Sequence, residues 1–184
     1  MPNSTAIAVV VILVLIAIAL AVTWLTMQKR RSEALRGRFG PEYDRVVQER
    51  GDQKGAEAVL ESRQKRVESL HIRPLDPAAR TRFADAWRQV QARFVDDPQG
   101  AASEADRLVA DVMTARGYPV WADFDQRAED ISVDHPHLVQ NYRAAAEIAR
   151  RHKAGAATTE DLRKAMTYYR ALFDELLEAQ EVRR

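Results

Sequence analysis

The sequence has 184 residues, with 28 basic and 27 acidic side chains, a formal net charge of +1 and no cysteine. The lack of cysteine excludes disulfides, thiolate zinc sites and thiol catalysis. Residues 32–184 carry 25 basic and 27 acidic side chains, a net charge of −2. This part of the chain lacks the basic footprint of a nucleic-acid-binding protein, so we expect no nucleic-acid partner.

An apolar stretch without a charge, a proline or a glycine covers residues 7–27. As a helix rising 1.5 Å per residue it spans about 32 Å, which matches a hydrocarbon core of about 30 Å. A cleaved signal peptide is disfavoured, because residues 1–6 carry no basic side chain and no small-x-small cleavage site follows. A buried core helix is disfavoured because the stretch is apolar all round. We predict a short tail over residues 1–6 and a transmembrane helix over residues 7–27.

A basic cluster follows this stretch within the predicted juxtamembrane stalk, residues 28–39. It comprises Lys29, Arg30, Arg31, Arg36 and Arg38. Since Lys and Arg are retained on the cytoplasmic side of a span, we predict an N-terminus outside and a cytoplasmic body, with a periplasmic body as the alternative. The cluster suits anionic lipid, although a plain stop-transfer flank explains it as well. Trp24 lies near the predicted end of the span, where its amphipathic indole ring suits the lipid headgroup region.

Two small residues four positions apart, Ala17 and Ala21, allow two such spans to approach each other closely. Self-association is therefore a further hypothesis. The abundance of alanine in this stretch is the simpler explanation of the pair.

The body, residues 40–184, is divided by helix breakers into helix-sized pieces. Apolar residues recur three or four positions apart in each piece, and no alternating β-branched run indicates a strand. The predicted helices cover residues 41–50, 53–72, 77–97, 101–117, 118–131, 134–155 and 159–176. The predicted fold is therefore all-α, an N-terminal transmembrane helix followed by a soluble bundle of about six helices held on the stalk as on a tether.

The densest group of polar side chains lies over residues 123–137, with five carboxylates and two imidazoles. Asp134, His135 and His137 are candidate metal ligands, because carboxylate and imidazole bind zinc, iron or manganese. Their spacing argues against this, since helical ligands lie three or four positions apart. The simpler interpretation is that Ser132 or Asp134 caps the next helix while the acids cover a solvated face. We expect no metal, cofactor or catalytic residue here.

Two arginines precede helix ends, Arg93 before Asp97 and Arg116 before Pro119. We predict that each pairs with an aspartate or a terminal carbonyl across a helix junction. A partner-binding loop formed by the two turns is the alternative. Trp121 is expected on one helical face with the core candidates Phe124, Ala128 and Ile131.

Six segments together resemble an uncharacterised family of bacterial proteins. They are residues 35–45, 72–75, 93–98, 116–119, 130–136 and 159–163. Members of that family look like a short membrane span followed by an all-α domain, and they have no assigned activity. The resemblance implies a body plan and a bacterial source, and no functional residue carries over. The 23 arginines against 5 lysines are also typical of a GC-rich bacterial genome.

The sequence favours a non-catalytic, single-pass protein of the bacterial inner membrane, whose cytoplasmic helical domain serves as an interaction or scaffold module. The expected partners are the lipid bilayer and a protein of unknown identity. The alternative is a metal- or small-ligand-binding sensor or enzyme centred on residues 130–137.

Overall fold

The computed structural model describes residues 3–119 and 123–178, and every regular element within these ranges is a helix. This confirms the all-α prediction, while Trp121 lies outside the described residues. The elements are α1 (Asn3–Phe39), α2 (Pro41–Arg50), α3 (Gln53–Glu68), α4 (Pro77–Arg93), α5 (Pro98–Arg116), α6 (Phe124–Asp134), α7 (Pro136–Lys153) and α8 (Thr159–Glu178).

Helix α1 runs without a break from the apolar stretch through the basic stalk. It is long and apolar enough to cross a membrane, with a mean hydropathy of 3.1 over its most apolar 18 residues. None of that window is buried against the rest of the chain. The large side chains from Val9 to Met27 are at least half exposed. A core helix would be covered by its neighbours, so the structure does not support that interpretation of α1.

The last turns of α1 belong to the core of the body. Leu35 and Phe39 are buried against Tyr43 of α2 and Leu60 of α3. Gly40, at a φ of 50°, adopts a left-handed conformation that suits glycine and lets the chain turn from α1 into α2. The stalk is therefore packed into the domain, and the body does not hang from a loose tether.

A larger core joins α4, α5, α6, α7 and α8. Trp87 of α4 stacks on Phe173 of α8 with ring centroids 4.7 Å apart, and Tyr142 of α7 meets Tyr169 of α8 edge-on at 6.2 Å. The apolar stripe predicted for α8 is confirmed, because all of its members are buried. They are Leu162, Met166, Tyr169, Phe173 and Leu176.

Several predicted helix boundaries differ from the structure. Helix α4 ends at Arg93 and not at residue 97. Helix α6 covers Phe124–Asp134 and not residues 118–131, since the Asp123 side chain caps its start by accepting from the Gln126 amide.

Helix α3 ends at Glu68 because the following loop packs on the end of α5, where the Arg73 amide donates to the Arg116 carbonyl at 2.8 Å. Gly117 closes this contact, and a Cβ there would lie 2.5 Å from a loop carbonyl. Helix α5 begins at Pro98, since a proline in the first turn behind the N-cap Asp97 starts a helix.

Truncation of Phe39 tests whether α1 is part of the core. Because Phe39 is fully buried, we expect Phe39→Ala to lower the stability of the body by about 3–5 kcal/mol. Thermal unfolding of the full chain in detergent, followed by circular dichroism, measures the effect. Leu20→Ala in the exposed part of α1 is the matched control. Equal unfolding temperatures for the two variants would contradict this assignment.

Candidate functional site

A fully buried carboxylate, Glu42, is held by arginines from three helices. Arg45 of α2 donates to its Oε2 from Nε at 2.8 Å, and Arg63 of α3 donates to its Oε1 from Nη1 at 2.9 Å. Arg143 of α7 donates to the same Oε1 at 3.1 Å. Glu42 cannot be singled out from the sequence alone, because its partners lie up to 101 positions away.

The same network continues onto α6. The other terminal nitrogen of Arg63 donates to Glu129 at 2.9 Å, and the Arg66 guanidinium lies 2.8 Å from Oδ1 of Asp130. Asp130 is only 1% exposed, so the prediction that the acids of residues 123–137 cover a solvated face is wrong for this residue. The physical reason is Arg66 of α3, whose guanidinium compensates the burial of this carboxylate.

The charge of Glu42 is stabilised despite its burial. Loss of hydration by itself opposes ionisation and would raise the pKa of this carboxyl. The hydrogen bond from Arg45 and the charges of Arg143 and Arg63 outweigh that effect and hold the Glu42 pKa below its usual range. Glu42 therefore stays ionised at neutral pH within a network of four arginines around Glu42, Glu129 and Asp130.

The structure separates the three candidate metal ligands. His135 is buried with Nδ1 3.3 Å from a carboxylate oxygen of Glu175, whereas His137 is exposed. Asp134 accepts a hydrogen bond from the Tyr118 hydroxyl at 3.2 Å. Burial lowers the pKa of His135, although Glu175 opposes this effect. Over residues 3–119 and 123–178 no three His, Asp or Glu side chains are grouped for a metal ion.

The predicted cap of α7 is also wrong. His135 occupies the N-cap position and makes no side-chain capping bond. The Ser132 hydroxyl donates instead to the Glu129 carbonyl at 2.6 Å within α6, and Asp134 is the last residue of α6. Because only one residue separates α6 from α7, neither side chain lies in front of the new helix.

The prediction for the two helix-end arginines is confirmed. Arg93 donates to Asp97 at 2.8 Å. Arg116, fully buried, donates to the carbonyl of Leu176 at 3.1 Å and to that of Arg73 at 3.3 Å. Both arginines therefore close helix junctions.

The stalk arginines face acids of the body. Arg31 forms a bidentate pair with Glu61 of α3, and Arg38 lies 3.9 Å from Glu68. Arg36 lies 3.4 Å from Asp44 and over the Tyr43 ring. Lys29 lies 3.9 Å from Glu33 within α1, and Arg30 has no ion pair with the described residues. These arginines couple the stalk to the body, which the sequence alone did not indicate.

Beside the stalk, Trp24 is 61% exposed and lines a groove of about 550 Å³ between α1 and the first turns of α3. A second groove, of about 460 Å³, lies over α7 with Asp106 and Tyr169 in its lining. Burial raises the pKa of Asp106. The second groove carries three basic and three acidic side chains, so its charge selects no ligand.

No family model, no curated protein and no solved structure matches this chain. The functional assignment therefore depends on the long apolar helix, on its packing into the body and on the arginine network.

The network predicts an acid-sensitive contribution to stability. Because the folded-state pKa of Glu42 lies below the unfolded value of about 4.3, its stabilisation is complete above that pH and is lost as the pH falls through the folded value. Glu42→Gln should destabilise the protein at pH 7 by about 3 kcal/mol, since buried arginines lose their counter-ion.

Thermal unfolding between pH 3 and pH 7 tests this expectation, and the difference between Glu42→Gln and the wild type should shrink as the pH falls. Glu49→Gln is the control, because Glu49 also pairs with Arg45 but is exposed. A difference that is constant with pH, or equal for both variants, would be inconsistent with a stabilising charge on Glu42.

Proposed function

We propose that this chain is a non-catalytic protein of a bacterial inner membrane, which spans the bilayer once through α1 and holds its helical domain at the cytoplasmic face as an interaction or scaffold module. The observation that carries the proposal is the contrast along α1. Its apolar part is left uncovered by the rest of the chain, while Leu35 and Phe39 at its other end are built into the domain.

A bilayer supplies the apolar surroundings that α1 lacks. Exposure of this many large apolar side chains to water is unfavourable, at about 25 cal/mol per Å² of apolar surface. A soluble protein would cover them by its own core or by a partner. Insertion into lipid removes the same surface from water without any further contact in the chain.

The buried charges support a structural role for the domain. Glu42 and Asp130 are bonded to arginines of neighbouring helices, which accounts for their burial without catalysis. Confinement at a membrane raises the effective concentration of such a domain for a membrane-bound partner. This is the mode of action that we propose.

Charged substitutions in α1 test the anchor and the module together. Each arginine near the centre of a span costs about 2.5–3.5 kcal/mol, so Leu13→Arg combined with Ile16→Arg should move the protein out of the membrane fraction. Crosslinking in intact membranes, affinity capture and mass spectrometry should then lose the partner that the wild type retains. Val95→Arg, at a body position 83% exposed, is the matched control.

Capture of the same partner by the unanchored double variant would contradict the proposal. If the only protein captured is a second copy of this chain, the module acts by self-association and not through a separate partner. Circular dichroism of the double variant shows whether the body remains folded.

The orientation has a separate test. The basic residues that follow the apolar stretch favour a cytoplasmic body, so protease added to intact spheroplasts should leave the domain whole. Digestion should occur only after permeabilisation, with a known periplasmic protein as the positive control for access. Cleavage in intact spheroplasts would place the body in the periplasm.

A further inference from the structure

The groove beside α1 joins the proposed membrane boundary to a lysine of α3. Its lining comprises Trp24, Met27, Gln28, Arg31, Lys54 and Glu57. Trp24 and Met27 are both more than 60% exposed. Lys54 lies in the first turn of α3, next to this apolar wall, although 26 or more positions separate it from the α1 residues Trp24, Met27 and Gln28.

Helix α3 runs beside α1 in the same direction, so that its first turn is the end nearest the bilayer. Two contacts show the direction. Glu61 pairs with Arg31, and Glu68 lies 3.9 Å from Arg38, so later positions on α3 face later positions on α1. The groove lining places Lys54, in the first turn of α3, beside Trp24, Met27 and Gln28, where the end of the proposed span would meet the headgroups.

Among the side chains that line the groove, Lys54 is the available cation. Arg31 is bound to Glu61, and the carboxylate of Glu57 accepts from the Tyr43 hydroxyl and the Gln53 amide, both at 2.8 Å. Lys54 is exposed and makes no ion pair with any residue that the structure describes. Its ammonium is free to bind a phosphate while the Trp24 and Met27 side chains remain in contact with lipid tails.

We propose that this groove binds a phospholipid of the bilayer, with the headgroup phosphate on Lys54 and the acyl region along Trp24 and Met27. The proposal rests on the proposed membrane span of α1. It makes the first turn of α3 a second point of contact with the membrane, in addition to the span. The groove lining carries two basic side chains, Arg31 and Lys54, and one acidic side chain, Glu57. Glu61, the partner of Arg31, brings the acids to two. The charges therefore balance, and the recognised feature is the phosphate and not a net negative lipid.

The absence of cysteine from the chain allows a single labelled cysteine at any chosen position. We would place a fluorophore at the proposed lipid contact by Lys54→Cys. Leu25→Cys is the positive control for insertion, and Lys65→Cys is the comparison position on the same helix. Lys65 is an exposed lysine on the same helix, about 16 Å farther along its axis. The full chain is reconstituted in phosphatidylcholine nanodiscs that contain a headgroup-bound quencher.

The proposal predicts that quenching at position 54 approaches that at position 25 and exceeds that at position 65 several-fold. Equal, weak quenching at 54 and 65, with strong quenching at 25, would overturn the lipid groove while leaving the span intact. Weak quenching at all three positions would instead contradict the span itself. The two failures are therefore distinguishable.

A second measurement tests the phosphate contact. Phosphatidylcholine nanodiscs should raise the unfolding temperature of the wild type above its value in a maltoside detergent, which has no phosphate, and Lys54→Glu should lose most of that increase. Lys65→Glu has the same change of charge and should retain it. Equal increases for the two variants would show that Lys54 does not bind the headgroup.

Discussion

The burial of Glu42 among arginines is the interaction on which the arrangement of the helices depends. It brings together α2, α3 and α7, and through Arg63 it extends to Glu129 of α6. The smaller core around Phe39 and the larger core around Trp87 are separate apolar clusters. Leu70 and Ile72 pack against both clusters. The network adds ion pairs from α2 and α3 of the smaller core to α6 and α7 of the larger one. A buried ion pair adds little net stability, but it is costly to break, and it therefore selects one packing of the helices.

The position of the bundle relative to α1, and so to the proposed membrane, follows from this connection. The same helix that is proposed to cross the bilayer ends in the smaller core, where Phe39 is fully buried. From there, Arg63 and Arg66 of α3 hold α6 and thereby the larger core. Each step is a packed or hydrogen-bonded contact between helices, so the domain has a defined place beside α1. A Gly- or Ser-rich linker would have left that place undefined.

Local sequence signals predict most of the helices, but they do not predict the contacts that matter for the site. The stripe of α8 and the Asp76–Pro77 start of α4 depend on residues within one or two helical turns. Asp130 lies in an acidic segment typical of a solvated face, and its burial depends on Arg66, which is 64 positions earlier. Lys54 likewise becomes a candidate lipid contact only because α3 lies beside α1. Charged partners on different helices leave no periodic signal in a single sequence. The acids of residues 123–137 therefore have the pattern of a solvated face in the sequence alone.

The rigid join between α1 and the domain supports one type of proposed function over another. A domain that only has to be near the membrane works equally well on a flexible tether, since effective concentration depends on reach. Here the helix continues from the apolar stretch into the core, and Arg31 and Arg38 fasten α3 beside it. This arrangement keeps one face of the domain, the first turn of α3, toward the proposed bilayer and the opposite end away from it. A fixed distance and orientation are useful when a partner must be met at a set height above the membrane, and this is the geometrical argument for an interaction module at the membrane surface.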